Sequence, residues 1–522
     1  MPPWSLQSEA NFAAARAVLR RLREEGHQAF LAGGCVRDLL LGREPKDFDV
    51  ATSATPDVVL DLFPRTFAVG AHFGVVLVSA ETDGLATLTE VATFRYDGAY
   101  SDGRHPDAVR YTLSAEEDVA RRDFTINGLL LDLWRLDALQ DAGEEHASGA
   151  KAPLSLSALS ARLKSCPVTK RAAEYVESTT EARETQSSLM PNEISYAVLD
   201  FVGGLEDLKA GVVRAIGRPE QRFEEDHLRM LRAVRFASRF GFALEPGTFE
   251  AIRGLAAKIA GVSNERVRDE LTRMLTEGAA RQAFELLDAS GLLVQVLPEV
   301  SRLKGVEQPP EFHPEGDVWK HTLLLLEQLE PGCPMTLGWG ALLHDIGKPA
   351  TFQPPVGPGD RIRFNGHVDV GVRIGEEICR RMRFSNEETA QILALIENHM
   401  RFADTPKMKT STLKRFFRLD RFPEHLALHR MDCRASSVDM TGHLENYYFA
   451  KEQFEATPVE QVRPEPLLTG RELIAEGYRP GPAFKEMLLA VEEAQLEGSI
   501  GSADEAMALI RAQYPAAEAA HG

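Results

Sequence analysis

The sequence has little cysteine. Its five, at positions 35, 166, 333, 379 and 433 of 522 residues, are scattered and never paired as CxxC. That excludes a disulfide framework and a zinc ribbon, and fits a reducing cytoplasm. Long apolar runs are also missing, and none approaches the ~20 residues that a membrane span needs. The opening MPPWSLQSEANF has no basic stretch leading into an apolar one. Neither a membrane anchor nor a secretory signal is therefore expected. Positive charge is scarce: 59 Lys and Arg face 78 Asp and Glu, a net of −19. The chain as a whole thus lacks the basic footprint usual in nucleic-acid binders. What is present is an ordinary globular composition, 44% hydrophobic and 26% charged. At usual domain sizes the length allows about three or four domains.

The patterning divides the chain. Residues 1–136 mix helical and strand periods: a helix over 8–25, strands over 28–32, 48–51, 75–79 and 88–94, and a helix after Thr55-Pro56. Residues 137–199 are rich in Ala, Ser, Thr and Glu without a sustained period, and read as an insertion that can be shortened at little cost. Residues 200–303 are helical in pattern. Residues 304–450 are mostly helical and hold most of the histidines. Residues 451–522 form an acidic helical end. The expected fold class is α+β, a small α/β head followed by all-helical domains. The negative charge gathers at the ends; residues 201–303 balance at 15 basic and 15 acidic. Residues 401–434 carry nine basic and four acidic side chains, a local surplus expected to face polyanion.

Four constellations carry chemistry. After the strand at 28–32 comes Gly33-Gly34, where backbone N–H groups can approach a phosphate at a helix start. The spacing is neither a P-loop nor a dinucleotide fingerprint. Asp47 and Asp49 follow at i, i+2, which puts both carboxylates on one side of a strand. Paired hard oxygen ligands suit Mg²⁺ bound with nucleotide phosphates, and Glu90, opening EVATFR, offers a third acid. The second constellation is RRDFTIN, residues 121–127: arginine presents a fork suited to phosphate, while Asp123 and Asn127 can bond sugar hydroxyls. The third is RFEEDHLRMLRAVRF, residues 222–236, where Asp226, Arg229, Arg232 and Arg235 recur every three residues along one helix face. The fourth is His321, His344-Asp345 in ALLHDIGKP, His367, His399 and Asp432. Imidazole and carboxylate together suit a divalent transition metal.

The first three constellations, in this order, resemble class II tRNA nucleotidyltransferases and bacterial poly(A) polymerases. The fourth resembles the HD phosphohydrolase superfamily. The resemblance implies that Asp47, Asp49 and Glu90 serve catalysis, the first two holding Mg²⁺. It implies nucleotide contacts from Gly33, Gly34, Arg37, Arg122, Asp123 and Asn127. Asp226 and Arg229 would read the base of ATP or CTP, with Arg232 and Arg235 holding the triphosphate or stiffening the site. Asn264–Glu270 resembles the helix that buttresses them. His321, His344, Asp345 and Asp432 would form an HD metal site, and His367 and His399 match the extra ligands of two-metal members. The partner implied is tRNA, to which CMP and AMP are added. The stretch 96–106, a flexible loop in the family, favours full CCA or A addition over CC addition. Two alternatives stand beside this reading: an A-only or poly(A) polymerase, and an HD phosphohydrolase with an accessory head.

Overall fold

The computed structural model describes residues 4–68, 74–98, 108–136, 159, 197–311, 313–436 and 444–515. The loop at 99–106 and nearly all of the 137–199 insertion lie outside the described residues. The chain divides into two compact units, residues 1–274 with 282–296, and residues 275–281 with 297–522.

In the first unit, α1 (Leu6–Glu24) starts where the Ser5 hydroxyl accepts the Ser8 N–H, and it buries Phe12, Ala15, Val18, Leu19 and Leu22. A seven-stranded sheet follows the order β3-β4-β5-β2-β1-β8-β9. The strands are β1 (Ala29–Ala32), β2 (Val50–Thr52), β3 (Thr66–Phe67), β4 (Val75–Thr82), β5 (Leu85–Thr93), β8 (Leu130–Leu131) and β9 (Val198–Leu199). Only β2 and β5 run parallel; the other neighbours are antiparallel. Asp83 and Gly84 both take positive φ and close the β4–β5 hairpin with a two-residue turn. A separate ribbon pairs β6 (Arg95–Asp97) with β7 (Val109–Tyr111). Phe30 stacks on Phe94 in the core under the sheet.

Two boundaries differ from expectation. β9 pairs with β8, so the head's sheet takes its last strand from beyond residue 136, and the insertion leaves and returns between neighbouring antiparallel strands. The stretch from residue 200 is not helical throughout: β10 (Val212–Val213) and β11 (Ala243–Leu244) form a short parallel pair. The unit also contains α2 (Gly34–Leu40), α3 (Ala115–Ala120), α4 (Pro219–Glu225), α5 (Leu228–Phe240) and α6 (Asn264–Thr276).

The second unit is helical. Its site is framed by α7 (Val318–Leu326), α8 (Met335–Leu343), α9 (His367–Arg381), α10 (Asn386–Asn398) and α12 (Phe422–Ala435). α11 (Thr410–Phe416) precedes the last of these. The acidic end forms α13 (Ala483–Glu497) and α14 (Ala503–Gln513) around a small core of Leu473, Met487, Val491, Ala506 and Ile510. No described helix is long and apolar enough to cross a membrane.

Candidate active sites

Asp47 and Asp49 lie on the extended stretch leading into β2 rather than inside the strand. Phe48 between them is buried against Phe12, so alternation turns both acids to the opposite side. The Asp49 carbonyl accepts the Ala32 N–H at 3.0 Å, extending the β1 ladder to the acid itself. Glu90 sits well inside β5 rather than at its start. The pairing of Val50 with Val91 brings it level with Asp49. Burial, then the charges of Glu90 and Asp47, push Asp49 up to about 7, against the pull of Arg122. Burial and Asp47 likewise raise Glu90. Clustered carboxylates whose protonated forms are favoured by burial and neighbouring negative charge have the chemistry of cation ligands.

Gly33 ends β1 with φ 71° and ψ −126°, a conformation that favours glycine. A Cβ there would stand 3.2 Å from Arg122 Nη1, so the guanidinium lies directly against the turn. The turn, Arg122 and the acid trio therefore share one place.

Arg37 departs from the expected phosphate contact. It is buried, with Nε donating to Asp38 at 2.9 Å, Nη2 paired to Asp38 at 2.8 Å and Nη1 donating to Asn127. Its guanidinium lies between the Phe236 and Phe240 rings of α5. These contacts take the side chain up inside the framework. From it a chain of polar contacts runs across the unit. Asn127 Nδ2 donates to Asp123 Oδ1 at 2.9 Å. Arg232 donates twice to Asp123 Oδ2, at 2.7 and 2.9 Å. Arg235 pairs with Glu270 at 2.5 Å and lies over Phe236. Arg232 and Arg235 thus stiffen the site, and Glu270 of α6 anchors it.

The expected continuous helix over 222–236 is broken. α4 ends at Glu225, Asp226 is extended (φ −146°, ψ 105°), and α5 begins at Leu228. The physical cause is local capping: Asp226 Oδ1 accepts the Leu228 N–H at 3.1 Å and replaces a helical partner. Asp226 Oδ2 accepts from Arg266 Nη2 of α6 at 2.9 Å. Arg229 donates to Glu225 at 2.6 Å and to the Arg222 carbonyl at 3.1 Å. Asp226 and Arg229 remain neighbours, but across a helix junction.

In the second unit His321, His344, His399 and Asp345 are buried together. Each imidazole has its Nδ1 committed: His344 to the Ala341 carbonyl (2.9 Å), His367 to Phe364 (2.9 Å), His399 to Ile396 (2.7 Å) and His321 to Glu315 (2.8 Å). Those partners accept only, so Nδ1 carries the proton and Nε2 of a neutral ring is a bare lone pair. The Nε2 atoms meet in twos, His321 with His344 at 3.3 Å and His367 with His399 at 3.4 Å. Burial lowers His399 to about 4 and keeps that ring neutral, so its Nε2 faces His367 as a bare lone pair, and outer partners of this kind orient metal ligands. Asp432 Oδ1 lies 3.1 Å from His321 Nε2. Asp345 spans both pairs: Oδ2 is 3.2 Å from His344, while Oδ1 is 3.8 Å from both His367 and His399. Against burial, Asp432 and Glu315 raise His321 to about 9. Lys348 reaches Asp345 at 2.7 Å. Among the described residues, the metal-capable groups of three lie here, not in the head.

Sequence reasoning missed Glu315, which also accepts from His313 at 2.9 Å, and Lys348 with its partner Gln308. The His-Pro-Glu just before His321 is the signal that points to the first. The basic surplus at 401–434 is partly covered. Arg415 and Arg418 of this stretch pair with Glu492, Lys409 pairs with Glu493, and Lys414 donates to the Leu496 carbonyl. The acidic α13 packs on α11, so the patch open to polyanion is smaller than its composition suggests.

Comparison with known proteins follows the same layout. Residues 29–144 match the poly A polymerase head domain, 241–303 a probable RNA and SrmB-binding site of polymerase A, and 317–432 the HD domain. A CCA-adding enzyme of Geobacillus thermodenitrificans is 35% identical over 281 residues, 54% of each chain. One from Lactobacillus johnsonii is 31% identical over 320 residues, 60% of this chain and 64% of the relative. This chain thus spans between half and two thirds of the length of those relatives. The crystal structure of the Bacillus stearothermophilus CCA-adding enzyme in complex with CTP superposes with a TM-score of 0.63 at 25% identity, covering 96% of this chain and 98% of that one. Matched in order along one polypeptide, these segments give the chain a poly A polymerase head domain, a probable RNA-binding region of that polymerase and an HD domain, and make it similar to CCA-adding enzymes.

Proposed function

We propose that the chain adds CMP and AMP to the tRNA 3′ end from CTP and ATP, releasing pyrophosphate. The observation that carries this is the polar chain from Arg37 through Asn127 and Asp123 to Arg232, which ties the Gly33 turn and the acids to the helix bearing Arg229. The names of the relatives and the CTP-bound solved structure support the same reading.

Asp47 and Asp49, with Glu90 beside them, fit Mg²⁺ as hard carboxylate ligands that repel one another when bare. Bound Mg²⁺ would activate the attacking hydroxyl and offset phosphate charge. The protein's own part is to align the reactants. The tRNA 3′ oxygen bonds to the α-phosphorus while pyrophosphate leaves in line. Gly33 and Gly34 offer backbone approach and Arg122 offers its fork to the triphosphate; Asp123 and Asn127 lie within reach of the sugar. Asp226 accepts from the exocyclic amine that C and A share, and Arg229 donates to ring acceptors. A base presenting a carbonyl there leaves the carboxylate unpaired, at a cost of about 1–3 kcal/mol.

The HD cluster supports a second activity on the same chain, a metal-dependent phosphohydrolase. His321, His344, Asp345 and Asp432 would hold one divalent transition ion, and His367 and His399 with Asp345 a second. The convergence of His321 and His344, and of His367 and His399, on the one buried Asp345 favours this reading. Comparing Asp49→Asn with Asp345→Ala separates the two centres. Asp49→Asn is expected to abolish nucleotide incorporation and keep the HD metal, measured by elemental analysis. Asp345→Ala is expected to lose that metal and still incorporate. Incorporation that survives the loss of Asp49 contradicts the transferase assignment.

A further inference from the structure

We propose that Asp118 is a positioning residue that aims Arg122 at the nucleotide's triphosphate; this rests on the nucleotidyl-transfer reading above. Asp118 lies on α3 and is 1% exposed, a burial that an ionised carboxylate tolerates only when fully paired. It is. Oδ1 accepts from Arg121 Nη2 at 2.7 Å, from Arg121 Nε at 3.0 Å and from the Arg95 N–H at 3.3 Å. Oδ2 accepts from Arg122 Nη2 at 2.9 Å and Nε at 3.3 Å.

The consequence is a sorting of two adjacent arginines. Each gives Nε and Nη2 to the same carboxylate, which leaves one nitrogen apiece for other work. Arg121 Nη1 turns to Asp97 of the ribbon, at 3.6 Å. Arg122 Nη1 lies against the Gly33 turn. Its positive charge is also felt at Asp49. The shared carboxylate therefore decides which arginine of RRDFTIN faces the reaction and which faces away. A guanidinium held at two nitrogens by a buried acid keeps a single rotamer, whereas an unanchored arginine spreads over several. The nearby Glu116 and Glu117 are exposed and cannot substitute for it.

The test is a double-mutant cycle on the full chain, with Asp118→Asn, Arg122→Ala and the pair, reading affinity for CTP and for cytidine, which has no phosphates. The expected result is a loss of CTP affinity of roughly tenfold for Asp118→Asn, the size of one good hydrogen bond. Cytidine affinity is expected to stay unchanged, and Asp118→Asn to add nothing once Arg122 is alanine. If the asparagine variant does not fold, Asp118→Glu keeps the charge and moves it. It is expected to weaken CTP with the melting temperature retained. Additive losses, or equal losses for CTP and cytidine, overturn the positioning role. Unaltered CTP binding by Arg122→Ala overturns instead the assignment of Arg122 on which the proposal rests.

Discussion

Asp123 shows how one residue holds the head and the helical region together. Burial alone would raise its carboxyl. The charge of Arg232 and hydrogen bonds from Asn127 and Arg232 instead hold it down at about 2, below its ordinary 3.8. A depressed carboxyl contributes stability that is fully present above its unfolded value and lost as pH falls through the folded one. The window is therefore about pH 4 down to 2, and the contribution at neutral pH is about 2 kcal/mol. Urea unfolding of Asp123→Asn across this range checks it. The variant is expected to be less stable than the parent near pH 6, with the gap closing toward pH 2. A gap that does not change with pH would assign the loss to geometry rather than to charge. Arg37 teaches the complementary lesson. Its position beside two glycines reads as a phosphate ligand, while the structure also gives it framework contacts to Asp38 and to Asn127, 90 positions away in the second case. Pairings of that separation leave no mark in local spacing.

At the scale of elements, the Gly33 turn and the α4–α5 junction decide the site. Gly33→Ala places a side chain in a backbone region that costs roughly 1–3 kcal/mol for other residues and brings it against Arg122. The expected outcome is a lower melting temperature together with a raised KM for both CTP and ATP. An unchanged KM would mean that the turn does not approach the triphosphate. The junction explains where sequence reading fell short. Three-residue spacing from Asp226 to Arg235 reads as one helix, yet Asp before an apolar run is equally an N-terminal signal. The capping contact with Leu228 won, and it moved Asp226 off the helix without parting it from Arg229. Strand positions in the head were legible where apolar residues run together, in β1 before Gly33 and at the start of β4, whereas the alternating β5 was read only from Leu88 onward. Asp118 was not legible. It sits in a run of acids that looks like an ordinary helix start, and only the fold shows it buried between two arginines.

For the molecule as a whole, the net charge of −19 does not argue against the proposed work on polyanions if each unit's clustered acids take up a cation. In the proposed reading Asp47, Asp49 and Glu90 would do so in the head, and Asp345 and Asp432 in the HD cluster. The acidic end is no spectator: α13 neutralises part of the basic α11 through Glu492 and Glu493. Glu492→Ala is expected to free Arg415 and Arg418 and to strengthen RNA binding at low salt, with the gain vanishing as salt rises. Equal affinity at all salt concentrations would show that this face does not meet RNA. The order of motifs, which the matched head, RNA-binding and HD segments repeat, could be read from the sequence. The network that joins them could not, because its members lie on separate elements. The most direct test of the central claim is incorporation of each labelled nucleoside triphosphate into tRNA lacking its CCA end. The account predicts CTP incorporation first, then ATP, with GTP and UTP rejected. Incorporation of ATP without CTP, or of all four alike, would contradict it.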